Sequence, residues 1–158
     1  YGPGDNYHSE NSHVIPALIR RIHEAKVTGA RTVTIWGTGT PKREFLYVDD
    51  LATICVQLMT LYKATYHSHT HPMSSHVNVG SGDEITIAQL ATMICRIIGY
   101  EGELIFDDGA QDGALRKLMD TQRLRAFGFH ESTTSLENGL YATFLDFLRD
   151  KVPGLIFE

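Results

Sequence analysis

The stretch from Asp50 to Lys63 is apolar on nearly every side of the helix it would form, with Leu51, Ala52, Ile54, Cys55, Val56, Leu58, Met59, Leu61 and Tyr62 crowded into it and Asp49 placed to cap it. A helix on the surface of a globular domain keeps a polar face. One that lacks it expects cover on more than one side. The strands available to supply that cover are few. Thr32-Val33-Thr34-Ile35-Trp36 alternates and is β-branched, and Phe45–Val48, His76–Gly80 and Glu103–Phe106 are short extended candidates. So small a set makes a poor sheet by itself. The remaining pattern is helical. One helix spans Val14 to Lys26 and ends at Gly29. Another opens on the capping box Thr86–Gln89 and ends at Gly99. A short one follows Asp120, and a last one follows a box at Thr134–Glu137 with Pro153-Gly154 beyond its end. Thr65 to Ser75 reads as a polar loop, and Asp107 to Ala114 as another. The chain is therefore α/β, and its elements expect partners in a larger fold of which it is the second half. A start at Tyr1-Gly2-Pro3-Gly4, a turn with nothing before it, fits the same expectation.

Composition narrows the function classes. With 158 residues, 42% hydrophobic and 21% charged, the chain is neither disordered nor fibrous. Its 14 Lys+Arg against 19 Asp+Glu give a formal charge of -5, which argues against binding nucleic acid or an anionic membrane. No apolar run approaches the roughly 20 residues of a membrane-spanning helix. Cys55 and Cys95 lie in apolar helical patterns without metal spacing and read as buried, reduced thiols, so the expected compartment is the cytoplasm. His67, His69, His71 and His76 sit among Ser, Thr and Pro with no carboxylate close in sequence, so no metal site is expected.

Several residues fit chemistry. On a wheel of about 100° per residue, Arg21 falls inside the apolar arc of the first helix while Arg20 falls outside it. A guanidinium there needs an anion or several acceptors, so Arg21 is a phosphate or carboxylate clamp, a buried salt bridge, or a side chain that snorkels out to solvent. His13 precedes a helix start, where anions are favoured, and titrates near neutral pH; it is a ligand or proton-transfer candidate, or a surface cap. Trp36 ends a strand beside Gly37-Thr38-Gly39 and is a ligand edge or a core residue. Arg43 is an anion contact or an exposed ion pair, and Asp112 an acceptor for hydroxyls or a turn residue. Gly37-x-Gly39 and Gly80-x-Gly82 both lack the third glycine of a dinucleotide fingerprint, and no tyrosine has a lysine four residues later.

Together these strings carry a resemblance. Arg43-Glu44-Phe45-x-x-Val48-Asp49-Asp50 followed by Asn78-Val79-Gly80 is similar to the extended short-chain dehydrogenase/reductases, the NAD-dependent epimerase/dehydratase family. Asn11-Ser12-His13 through Arg21, Trp36 through Arg43, and Asp112-Gly113 with Arg116-Lys117-Leu118-Met119-Asp120 more specifically resemble the C-terminal half of its GDP-L-fucose synthase branch. The resemblance implies a Rossmann-type α/β fold of which residues 1–158 are the C-terminal substrate-binding part, with the N-terminal dinucleotide-binding half absent. It implies NADP as cofactor, GDP-4-keto-6-deoxymannose as the nucleotide-sugar substrate, and a homodimer in the full-length protein. It makes His13 an NADP contact and a candidate acid in epimerisation, and Arg21, Trp36, Arg43 and Asp112 substrate-binding residues. The branch's Gly-rich loop, Ser, Tyr-x-x-x-Lys pair and reactive Cys belong to the other half, so this chain alone is expected to be inactive. The stretch Ala110-Gln111-Asp112-Gly113-Ala114-Leu115 departs from the branch, which has Lys-Pro before and Thr-Pro after its Asp-Gly. The competing expectations are another nucleotide-sugar epimerase or dehydratase, and a binding module of the same fold without catalysis.

Overall fold

The computed structural model describes residues 1–109, 112–129 and 134–151. Helix α1, Val14–Thr28, begins at His13, carries Pro16 in its first turn where a missing N–H costs nothing, and closes on Gly29 in the left-handed conformation. Its apolar stripe of Ile15, Leu18, Ile19 and Ile22 packs on β1, Thr32–Trp36, and on a second long helix, α4. The later elements are β2 (Lys42–Glu44), α2 (Val48–Met59), α3 (Lys63–His69), β3 (Glu84–Thr86), α4 (Ile87–Ile98), β4 (Glu103–Asp107), β5 (Arg116–Lys117), α5 (Gln122–Ala126) and α6 (Leu136–Lys151). The capping box at Thr86 and Gln89 forms with both hydrogen bonds in place, and Gly99 ends α4 in the left-handed region.

Two small sheets result. β1 and β4 run parallel with Val33 beside Leu104 and Ile35 beside Phe106. β2 lies between antiparallel β3 and parallel β5. The core sits where α1, α4 and α6 cover one face of β1 and β4, and its fully buried members include Ile22, Leu90, Ile94, Leu140 and Phe147. By contrast α2 buries only Asp50 and Ile54 and leaves Val48, Leu51, Val56 and Met59 exposed, so it lacks the cover its pattern calls for.

Some expectations give way. Pairing occurs at Lys42–Glu44 rather than Phe45–Val48, because β3 and β5 fix the register there, and Val48 already starts α2. Tyr47, not Asp49, is the N-cap of α2; Asp49 and Asp50 occupy the first turn, where negative charge is favoured. Part of the expected loop from Thr65 to Ser75 belongs to α3, held by Tyr66 stacked on Phe127 (centroids 6.0 Å apart) and by His69 edge-on to the same ring. Residues 76–80 form no strand. Among the described residues they meet no ladder partner and are tethered by side chains: Arg123 donates to the His76 carbonyl and Asn78 to that of Asp120 at 3.1 Å. The cap of α6 is Ser135, whose Oγ accepts from the Asn138 N–H at 3.3 Å. Thr134 instead donates its N–H and hydroxyl to the buried Asp50 carboxylate at 3.0 and 3.1 Å, since a carboxylate taken from water needs donors. Cys95 is buried, which pushes its thiol pKa up, but Cys55 is exposed on the uncovered side of α2. Ala110, Gln111 and Pro153-Gly154 lie outside the described residues.

Candidate functional site

β1 delivers Trp36 to the end of its sheet, where the alternation of the strand turns the indole outward. It is 71% exposed and lies outside the core that this chain forms. Arg21 reaches it from α1. The guanidinium lies 4.9 Å from the indole centroid and donates through Nη1 to the Thr34 carbonyl at 2.9 Å, on the strand edge that β4 does not occupy. Arg21 is half-buried and forms no ion pair among the described residues. Its other donors meet no protein acceptor among the described residues. Arg20 is also half-buried, paired with Glu24 at 2.7 Å and bonded to the Tyr7 carbonyl. Helical phase thus separates the two arginines less sharply than expected, and their partners distinguish them.

After Trp36 the chain turns through Gly37 and Gly39, both at positive φ. Asp112 closes against this turn. Its carboxylate accepts from the Thr38 N–H at 3.0 Å and from the Thr38 hydroxyl at 2.6 Å. A Cβ at Gly37 would collide with Asp112 Oδ1, so the approach depends on glycine there. Asp112 is therefore a long-range clasp rather than a local turn residue.

The strands β3, β2 and β5 sort charge onto two faces. Lys42 and Arg116 share Glu84 at 3.1 and 2.6 Å, and their hydrogen bonds hold that carboxyl below its usual range. Side chains alternate along a strand, so Arg43 points to the opposite face, and its register partner across the parallel β2–β5 pair is Lys117. Neither Arg43 nor Lys117 has a carboxylate partner among the described residues. Arg43 Nη1 instead donates to the carbonyls of Lys42 and Ala114, both at 2.7 Å. Two adjacent cations without a counter-ion repel each other and suit an anion. Lys117 is the residue sequence reasoning missed. Its signal is register, which appears only once β5 is paired.

Arg21 and Trp36 are in contact, Trp36 leads into the Gly37–Gly39 turn that Asp112 closes on, and Arg43 meets the same segment two residues further on, at the Ala114 carbonyl. His13 is not part of this set. It opens onto a separate cavity of about 520 Å³ that Tyr1, Glu44 and Phe45 also line, and its imidazole, unused as a cap, has no hydrogen-bond partner among the described residues. Glu44 ties that region to the sheet by accepting from the N–H groups of Gly82 and Met119 at 2.7 and 2.9 Å. A larger cavity of about 950 Å³, walled by Phe45, Ile85, Met93, Leu104, Phe106 and Leu136, contains none of the five candidate residues. Among the described residues no His, Cys, Asp or Glu cluster could hold a metal ion, and no helix is long and apolar enough to cross a membrane. For a dinucleotide, the described residues offer the free imidazole of His13 and no Gly-rich strand–turn–helix cradle.

The model of the NAD dependent epimerase/dehydratase family matches residues 1–80. The chain belongs to that family. Within the NAD dependent epimerase/dehydratase family, it is 48% identical over 151 residues to the GDP-L-fucose synthase of Escherichia coli (strain K12), covering 96% of this chain and 47% of the relative. It is 49% identical over 150 residues to GDP-L-fucose synthase 1 of Arabidopsis thaliana, with coverages of 95% and 43%. A solved GDP-L-fucose synthetase from Naegleria fowleri bound to NADP superposes with a TM-score of 0.83 at 26% identity, over 96% of this chain and 44% of that one. The chain spans about half the length of the curated relatives it matches. The structural neighbours are Rossmann-type epimerase and reductase enzymes, each matched over about half of its length, which agrees with the expected fold class.

Proposed function

We propose that this chain is the C-terminal, substrate-binding half of an NADP-dependent epimerase-reductase that converts GDP-4-keto-6-deoxymannose to GDP-L-fucose. The observation that carries the reading is the Arg43–Lys117 pair, two cations in register on neighbouring strands without a carboxylate partner among the described residues, linked through the segment Asp112–Ala114 and the Thr38 turn to Trp36 and Arg21. A diphosphate fits them: Arg43 offers a planar fork and Lys117 a point charge. Arg21, placed over the Trp36 ring, presents its remaining donors and a π surface to the nucleotide. Asp112 spends one lone pair per oxygen on Thr38 and keeps the others for a substrate hydroxyl.

His13 is the chain's own candidate for proton transfer. A free imidazole at a helix start can contact an anionic cofactor and donate a proton beside a ketone at neutral pH. NADPH, when bound, supplies the hydride that reduces that ketone. The remaining machinery, a Gly-rich loop and a Tyr-x-x-x-Lys pair, is assigned to the other half, which would also cover α2 and form the homodimer. The isolated chain is accordingly inactive.

The test is turnover by the full natural gene product carrying this chain. Formation of GDP-L-fucose from GDP-4-keto-6-deoxymannose and NADPH, followed by product chromatography, supports the reading. Turnover of a uridine or thymidine diphosphate sugar instead would make it another nucleotide-sugar epimerase or dehydratase. Binding of GDP without turnover would make it a module without catalysis.

A further inference from the structure

We propose that Thr38 is a positioning residue for the anion site, acting on Arg43 through Asp112. The inference rests on the substrate-binding reading above and extends it to a residue that makes no contact with the diphosphate. Thr38 is held in place by its own turn: Gly37 and Gly39 flank it at positive φ, and its hydroxyl also contacts Thr40 Oγ1 at 2.7 Å. From there it donates twice to one carboxylate, N–H to Oδ1 and hydroxyl to Oδ2, which ties both oxygens of Asp112 to the turn. Two residues along, the Ala114 carbonyl accepts from Arg43 Nη1, and the next carbonyl, that of Leu115, accepts the Lys42 N–H at 2.8 Å and starts the β2–β5 pairing that seats Lys117. The clasp at Thr38 therefore fixes the near end of the strand that supplies one cation and the acceptor that orients the other. Arg43 has no carboxylate to hold it, so the carbonyls of Lys42 and Ala114 are its only protein acceptors among the described residues. Losing the clasp frees one of the two.

GDP is the right probe because it carries the diphosphate and lacks the sugar that Asp112 would meet directly. In the full natural gene product, Thr38→Val removes the hydroxyl at constant shape. The expected result is GDP binding weakened by about tenfold, the scale of one hydrogen bond to a charged group, with the melting temperature checked alongside. Thr38→Ser keeps the hydroxyl and is expected to restore binding to within about twofold. In an Arg43→Gln background, Thr38→Val is expected to cost well under tenfold, because one of the two cations it positions is gone and only its effect on the strand of Lys117 remains. Equal affinity of Thr38→Val and the parent for GDP overturns the inference while leaving the function reading intact. So does a tenfold loss that persists in the Arg43→Gln background. If the parent itself does not bind GDP, the substrate-binding reading fails first, and the inference with it.

Discussion

α2 and α4 are both twelve-residue helices with similar apolar content, and the protein treats them in opposite ways. α4 confines its polar side chains to one stripe (Gln89, Thr92, Arg96) and buries Leu90, Ala91, Ile94, Cys95 and Ile98 against α1, α6 and the β1–β4 sheet. α2 has Val48, Leu51, Val56 and Met59 in solvent and is anchored chiefly by Ile54 and by Asp50, which Thr134 holds. Apolar content alone does not bury a helix. What matters is whether a complementary face is present, and for α2 none is supplied by the described residues. Under the proposed function, that face comes from a second half of the same fold.

The contrast yields a ranked set of expected outcomes. Ile94→Ala should cost about 2–5 kcal/mol in chemical denaturation of this chain, while Met59→Ala should stay within about 0.5 kcal/mol. A large loss from Met59→Ala in the isolated chain would break the comparison. Replacing Val56 and Met59 together by lysine should reduce self-association of the isolated chain in sedimentation, and unchanged association would mean the α2 face is not sticky. Thr86→Ala should remove about 1 kcal/mol by breaking the capping box of α4; α2, whose N-cap Tyr47 makes no side-chain cap bond, has no equivalent to lose. The smallest effect concerns His23, on the packed side. Its Nδ1 is buried without a partner among the described residues, with the ring against Phe144 and Phe147. Burial first, then Lys26, lowers its pKa below 6.5, with Glu24 opposing. A lowered folded pKa means the unfolded chain binds the proton more readily, so stability is full above about pH 6.5 and declines as pH falls through the folded value. His23→Phe should flatten that decline in pH-dependent melting, and an unaltered slope would assign it to other groups.

The packed half was legible because its signals are local. The phase of α1, the Thr86 box, the terminal glycines 29 and 99, and the alternation of β1 and β4 each specify their element without reference to distant chain. The site was legible only in part. Trp36, Arg21, Arg43 and Asp112 could be named from chemistry, spacing and resemblance, but not the clasp on Thr38 or the neighbour Lys117. Those depend on pairing between β2 and the two-residue β5, a strand too short and too charged to announce itself. Residues 76–80 failed in the opposite sense: their sequence alternates like a strand, yet a strand exists only where a ladder partner does.

The central claim is that Arg43 and Lys117 form a diphosphate seat, and calorimetric titration with GDP addresses it directly. In the full natural gene product, Arg43→Gln and Lys117→Gln should each weaken GDP binding by at least about tenfold, and Arg116→Gln, on the Glu84-neutralised face, should change it by less than about twofold. Equal affinity across the parent, Arg43→Gln and Lys117→Gln would contradict the account.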